Sequence, residues 1–148
     1  METQGQRDNE WLQEQLAQLW YRHFSDIEQP NDVVIKFGRP AMARLGSIKW
    51  GRKPVAHPDG SKQRRSIITM TGYFKDPAIP DEVILAVMAH ELSHYAHGFS
   101  SPLFQKYNHP HKGGVVDKEI KARGLGEILT FHKKWMKTNW VNYIRSKR

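Results

Sequence analysis

The sequence predicts an α+β fold: a small sheet of three or slightly more strands, packed on an N-terminal helix and a central helix, with a helical segment at the C-terminal end. Three observations lead there. Near the start, apolar residues recur at three- and four-residue spacing with polar residues between them. Between residues 33 and 71 come three short runs rich in β-branched and aromatic residues, separated by glycine and proline. An apolar run without breakers, residues 83–89, then leads into His90, Glu91 and His94.

The elements follow in order. Residues 8–28 read as an amphipathic helix with Trp11, Leu12, Leu16, Leu19, Trp20 and Phe24 on one face and Asp8 or Asn9 as its cap. Gln29-Pro30-Asn31-Asp32 reads as a turn. Val33–Phe37 is the first strand, ended by Gly38-Arg39-Pro40. Residues 43–50 are the second, and 51–62 a loop with Pro54, Pro58 and Asp59-Gly60. Residues 64–71 are the third strand, expected to accept an extended peptide as an added strand. Pro80, Asp81 and Glu82 suit a helix start, and Gly98 its stop. Residues 99–114 form a long loop with Pro102, His109, Pro110, His111 and Gly113-Gly114. Helix returns at Val115, breaks at Gly124 and Gly126, and resumes from 127 to 144, with Ile128, Phe131, Trp135 and Val141 as its buried stripe.

Composition narrows the classes. A chain of 148 residues has the length of one domain, here 1–148 with 115–148 as a basic helical extension. No apolar run is long enough to span a membrane, and the polar start shows no signal-peptide pattern, so a cytoplasmic protein is expected. Without cysteine there is neither a disulfide framework nor a thiolate metal site. The net charge is +8, and from Lys118 onward nine Lys or Arg stand against Glu119 and Glu127. Such a segment, with Trp135, Trp140 and Tyr143 interleaved, suits nucleic acid as a partner.

His90, Glu91 and His94 carry the chemistry. Residues four apart on a helix lie one turn above the other on one face, so two imidazoles can close on one small cation. Glu91 then lies beside the metal's open position, where it can act as general base. This is the His-Glu-x-x-His pattern of zinc peptidases. The helix is apolar nearly all round, hence buried, and buried polar groups need partners that a metal would supply.

A catalytic zinc ordinarily takes three protein ligands and keeps one position open. The third is expected from the loop, at His109 or else His111, which flank Pro110; Glu119 on the following helix is the rival, unless it pairs with Arg123 at i+4. Asp117 is a further candidate. His97 shares the face of His90 but lies about 10 Å away along the axis, so it reads as a helix-end hydrogen bonder.

From 33 to 111 the pattern resembles the SprT-like, or Spartan-type, zinc metallopeptidases. The resemblance rests on a strand followed by Gly38-Arg39-Pro40, then Ala43-Arg44-Leu45-Gly46 with Ile48 and Trp50, the strand Ile67-Ile68-Thr69, and the helix bearing His90, Glu91 and His94. It implies a small sheet beside the active-site helix, Zn2+ as cofactor, and a third metal-binding histidine at the place of His109. It also implies protein substrates, including proteins attached to DNA. In this chain Pro110-His111-Lys112-Gly113-Gly114 replaces the family's usual continuation, and 115–148 has no counterpart.

The expected function is a zinc metalloendopeptidase acting on protein or peptide chains, with Glu91 as base and Tyr107, His97 or the free one of His109 and His111 as oxyanion stabiliser. The alternatives are a nucleic-acid-binding protein with a structural or degenerate zinc site, and a metal hydrolase of other substrates.

Overall fold

The structure, a computed structural model, describes residues 5–147; residues 1–4 of the polar N-terminal stretch, and Arg148, lie outside the described residues. The fold is α+β, with a three-stranded mixed sheet among helices.

Helix α1 (Asn9–His23) starts where the Asp8 carboxylate accepts from Trp11 N, and it ends at Phe24, short of the expected residue 28. Leu12, Leu16, Leu19 and Phe24 are buried, so the apolar stripe does face the core. Ahead of it, the buried Arg7 donates to the carbonyls of Phe74, Asp76 and Ile79 and to Asp81 Oδ1, which pins the approach to the central helix.

Strand β1 (Val33–Phe37) has the expected bounds. β2 (Gly46–Ala56) begins later than expected and runs six residues into the expected loop, and β3 (Lys62–Met70) begins earlier. The two form an antiparallel hairpin whose register shifts between Trp50 and Pro54. A proline inside β2 is tolerated because β2 is an edge strand and the irregularity absorbs its missing N–H. The sheet order is β1-β3-β2, with β1 and β3 parallel. β3 is therefore flanked on both sides and cannot accept a further strand, contrary to expectation; the edges are β1 and β2. Ile35, Ile68 and Met70 cover the inner face.

Helix α2 (Asp81–Ala96) follows a 3-10 turn, Gly72–Lys75, with Pro80 as its N-cap. Val83, Ile84, Ala86, Val87, Met88, Ala89, Leu92 and Tyr95 are all buried, as an apolar circumference requires. A buried chain of hydrogen bonds holds its far end to the sheet: Tyr95 OH donates to Asn31 Oδ1, Asn31 Nδ2 to Ser66 Oγ, and Ser66 Oγ to the Ser100 carbonyl. Gly98, at φ +84°, turns the chain away; a Cβ there would lie 2.5 Å from the Phe104 carbonyl.

The C-terminal segment is α3 (Val115–Ala122) and α4 (Gly126–Trp135), continued by a π-helical turn (Met136–Trp140) and α5 (Val141–Ser146). It is no appendage, because Val116, Ile120, Leu125, Leu129, Trp140 and Ile144 join the core around α2. The expected stripe is displaced: Phe131 and Val141 are exposed, while Leu129, Trp140 and Ile144 are buried. Ile128 and Trp135 pack half-buried against the core, but the buried positions are others: Leu125 and Leu129 one turn apart before the π-helical turn, and Trp140 and Ile144 one turn apart beyond its start.

Among the described residues no helix is long and apolar enough to cross a membrane.

Candidate metal centre

α2 presents His90 and His94 on one face, with Nε2 atoms 3.1 Å apart. The third ring is that of His111. Its Nε2 lies 3.0 Å from that of His94 and 3.3 Å from that of His90. His109, the first expectation, is exposed and stands outside this group. The reason is tertiary. His111 immediately precedes the turn Lys112–Gly114, which feeds α3, and α3 is held by buried Val116 and Ile120. His109 lies two residues further out on the loop.

Three nitrogens about 2.0–2.1 Å from a tetrahedral ion lie about 3.3–3.4 Å from one another, close to the separations here. Three imidazole nitrogens turned to one point need a shared proton or a cation between their lone pairs. Burial, and after it the neighbouring rings, push His90 down to about 4 and His94 down to about 3, so both are neutral, ligand-ready imidazoles at pH 7. The set His90, His94 and His111 can bind a metal ion; all-nitrogen ligation suits zinc among several divalent metals.

Glu91 is 4% exposed, and its Oε2 has no hydrogen-bond partner. Burial raises its carboxyl to about 7, against the pull of the nearby Arg44 guanidinium. An orphaned buried carboxyl next to three converging imidazoles is what a cation site with a base would hold. Gly46, the first residue of β2, permits this crowding: a Cβ there would meet Val87 Cγ1 at 2.8 Å and Glu91 Cγ at 3.3 Å.

Glu119 is not in the group. Its Oε1 lies 2.8 Å from Nε2 of the fully buried His97, and its Oε2 accepts from Arg123 Nε at 3.1 Å, the i+4 pairing. Arg123 also donates to Asp26 and to the His23 carbonyl, so this chain ties the end of α2 to α3 and α1. His97 is thus a helix-end hydrogen bonder, and Tyr107 packs on its ring at 4.9 Å. Asp117 Oδ2 accepts from Lys133 Nζ at 2.5 Å.

A cavity of about 620 Å³ opens beside His90 and Glu91, bordered by Arg44, Asp117, His132 and Lys133. None of the expected oxyanion donors lines it. His132, which no motif in the sequence singles out, does: burial lowers its pKa against a hydrogen bond to the Val83 backbone, and its buried Nδ1 has no partner among the described residues. Only its position three residues after Leu129 on an amphipathic helix could have flagged it. In the C-terminal segment Trp140 is buried and stacks on Tyr143 at 5.7 Å, so it is no platform for a base.

No family model, curated protein or solved structure matches this chain.

Proposed function

We propose that the protein is a zinc-dependent metallopeptidase acting on protein or peptide chains, DNA-associated proteins among them. The observation that supports this most is the convergence of His90, His94 and His111 Nε2 atoms beside the unpartnered Glu91 carboxyl. The three rings would hold the ion, which supplies a Lewis acid to polarise the scissile carbonyl and acidify a water molecule. Glu91, its carboxyl beside that site, would act as the base that takes a proton from the attacking water and passes it to the leaving amine nitrogen. Of the cations lining the same cavity, Lys133 is bonded to Asp117, and Arg44, which has no ion pair among the described residues, is the donor available to the developing oxyanion. An extended substrate pairs with the edge strand β2, whose first residue touches Glu91, in place of the enclosed β3. The resemblance to SprT-like peptidases points the same way.

Glu91→Gln tests the reading. The variant should bind zinc stoichiometrically, as read by metal analysis, and lose peptide cleavage by roughly 10²-fold or more, the usual worth of a general base. Cleavage at the wild-type rate by the zinc-loaded variant refutes the assignment.

One observation favours the second reading, a nucleic-acid-binding protein whose zinc site is structural or degenerate. Arg39, Arg44 and Lys49, with the Ser47 and Thr69 hydroxyls, line a recess of about 380 Å³ on the sheet, and none of the three cations is ion-paired among the described residues. Each phosphate contact steepens the dependence of log K on log salt by roughly 0.9. Replacing all three by alanine should therefore flatten the slope for duplex DNA by about 2–3. An unchanged slope removes this surface; DNA binding with no proteolysis by the wild type favours the second reading over the first.

A further inference from the structure

The cavity beside Glu91 has a chemistry that bond cleavage alone does not use. At about 620 Å³ it falls within the range of ligand sites, roughly 300–1,000 Å³. Its inner surface is apolar: Ala86 and Val87 come from α2, Ile120 from α3 and Leu129 from α4, all of them buried residues of the core. His90 and Glu91 form its border, so whatever fills it lies next to the bond being cut.

Charge decides what can enter. Arg44 and Lys133 stand at the cavity, and the acid beside them, Asp117, is already bonded to Lys133. Lys133 and Asp117 offset each other, so a lysine or arginine side chain would give up its hydration for an apolar floor and meet Arg44, unpaired among the described residues, with no free carboxylate except the base itself. An aspartate or glutamate would give up its hydration for an apolar floor and face Glu91. An uncharged apolar side chain loses nothing and buries its surface against Ile120 and Leu129.

We infer that this cavity is the specificity pocket of the protein: it receives a large apolar side chain, of the leucine, methionine or phenylalanine kind, from a residue flanking the scissile bond, and it excludes lysine and arginine. The inference rests on the peptidase reading and adds the class of substrate to it.

Two measurements test it. In the first, the zinc-loaded wild type is given a mixture of peptides differing at the residues around the cut. Leucine, methionine or phenylalanine should be preferred over alanine on one side of the bond by at least about tenfold, since a single methylene in an apolar pocket already discriminates by about 10–200-fold. Leu129→Trp, filling the pocket from α4, and Ala43→Trp, filling it from the exposed opposite rim, should both pull that ratio towards one; two positions guard against a fold defect in either. In the second, methyl NMR spectra of the zinc-loaded Glu91→Gln protein are recorded with N-acetyl-leucinamide and with N-acetyl-alaninamide. The leucine probe should shift the Val87, Ile120 and Leu129 methyls and the alanine probe should not. Cleavage without side-chain preference, together with unmoved methyls, overturns the pocket and leaves the peptidase standing. Shifted methyls in a protein that cuts no peptide overturn the peptidase and keep the apolar pocket.

Discussion

At the scale of the residue, the two histidines around Pro110 have different fates, and single substitutions separate them. His111 brings its Nε2 to within 3.0 Å and 3.3 Å of the helix histidines, while His109 stays outside. Loss of a partner that only orients a ligand weakens metal binding by about 10–100-fold. Loss of a ligand itself should cost more, so His111→Ala should weaken zinc binding by over about 100-fold in competition with a chelator, and His109→Ala should leave it unchanged. Glu119→Ala separates the remaining candidate. It should keep stoichiometric zinc yet lower stability by about 1–3 kcal/mol, because it strips the buried His97 Nε2 of its partner. Zinc lost from Glu119→Ala but kept by His111→Ala would reverse the ligand assignment.

At the scale of the element, what local pattern could give is what the sequence reading contained. β1 and α2 have their expected positions because four β-branched and aromatic residues among five, and then an apolar run behind Pro80, leave little choice. The hairpin is longer than its hydrophobic run, because Pro54, Val55 and Ala56 pair with Arg64, Gln63 and Lys62 without deep burial, and Arg64 Nε donates to the Gly51 carbonyl beside the register shift. The phase of α4 and α5 was hidden for a related reason: a π-helical turn and contact with α2 choose which of several apolar residues turn inward. One side chain joins α5 to the approach of α2. Asp76 accepts from Ala78 N and from Tyr143 OH and pairs with Lys147 Nζ, and these contacts, the Ala78 amide foremost, hold its carboxyl below the ordinary 3.8. A carboxyl whose pKa falls on folding adds stability that is present above its unfolded value and is lost as the pH drops through the folded one. Asp76→Asn should thus cost about 1–2 kcal/mol in urea unfolding at pH 7. The gap to wild type should narrow as the pH falls below about 3.8. A gap that is constant with pH would mean that the charge on Asp76 contributes nothing.

At the scale of the whole molecule, the site is split between what five consecutive helical positions dictate and what only the assembled chain brings together. His90, Glu91 and His94 are neighbours by helix geometry, so they were readable in advance. His111, Arg44, Asp117 and His132 arrive from a loop, the segment before β2, α3 and α4, and no spacing in the sequence encodes their meeting. That division has a thermodynamic consequence. An ion on His90, His94 and His111 would clasp α2 to the residue before α3 across 21 positions of chain. With His90 and His94 held neutral by burial at pH 7, binding need not displace protons from them. A ligand that binds only the folded state stabilises it by about 2.7 kcal/mol at a hundredfold excess over its Kd, and in a chain of this length each kcal/mol moves Tm by about 2–4 °C. Chelation of zinc from the wild type should therefore lower Tm by about 5–11 °C, zinc should restore it, and His111→Ala should melt at one temperature with or without the metal. A wild-type protein that carries one zinc and melts unchanged after losing it would place that ion away from the three imidazoles, and the proposed hydrolysis would fall with it.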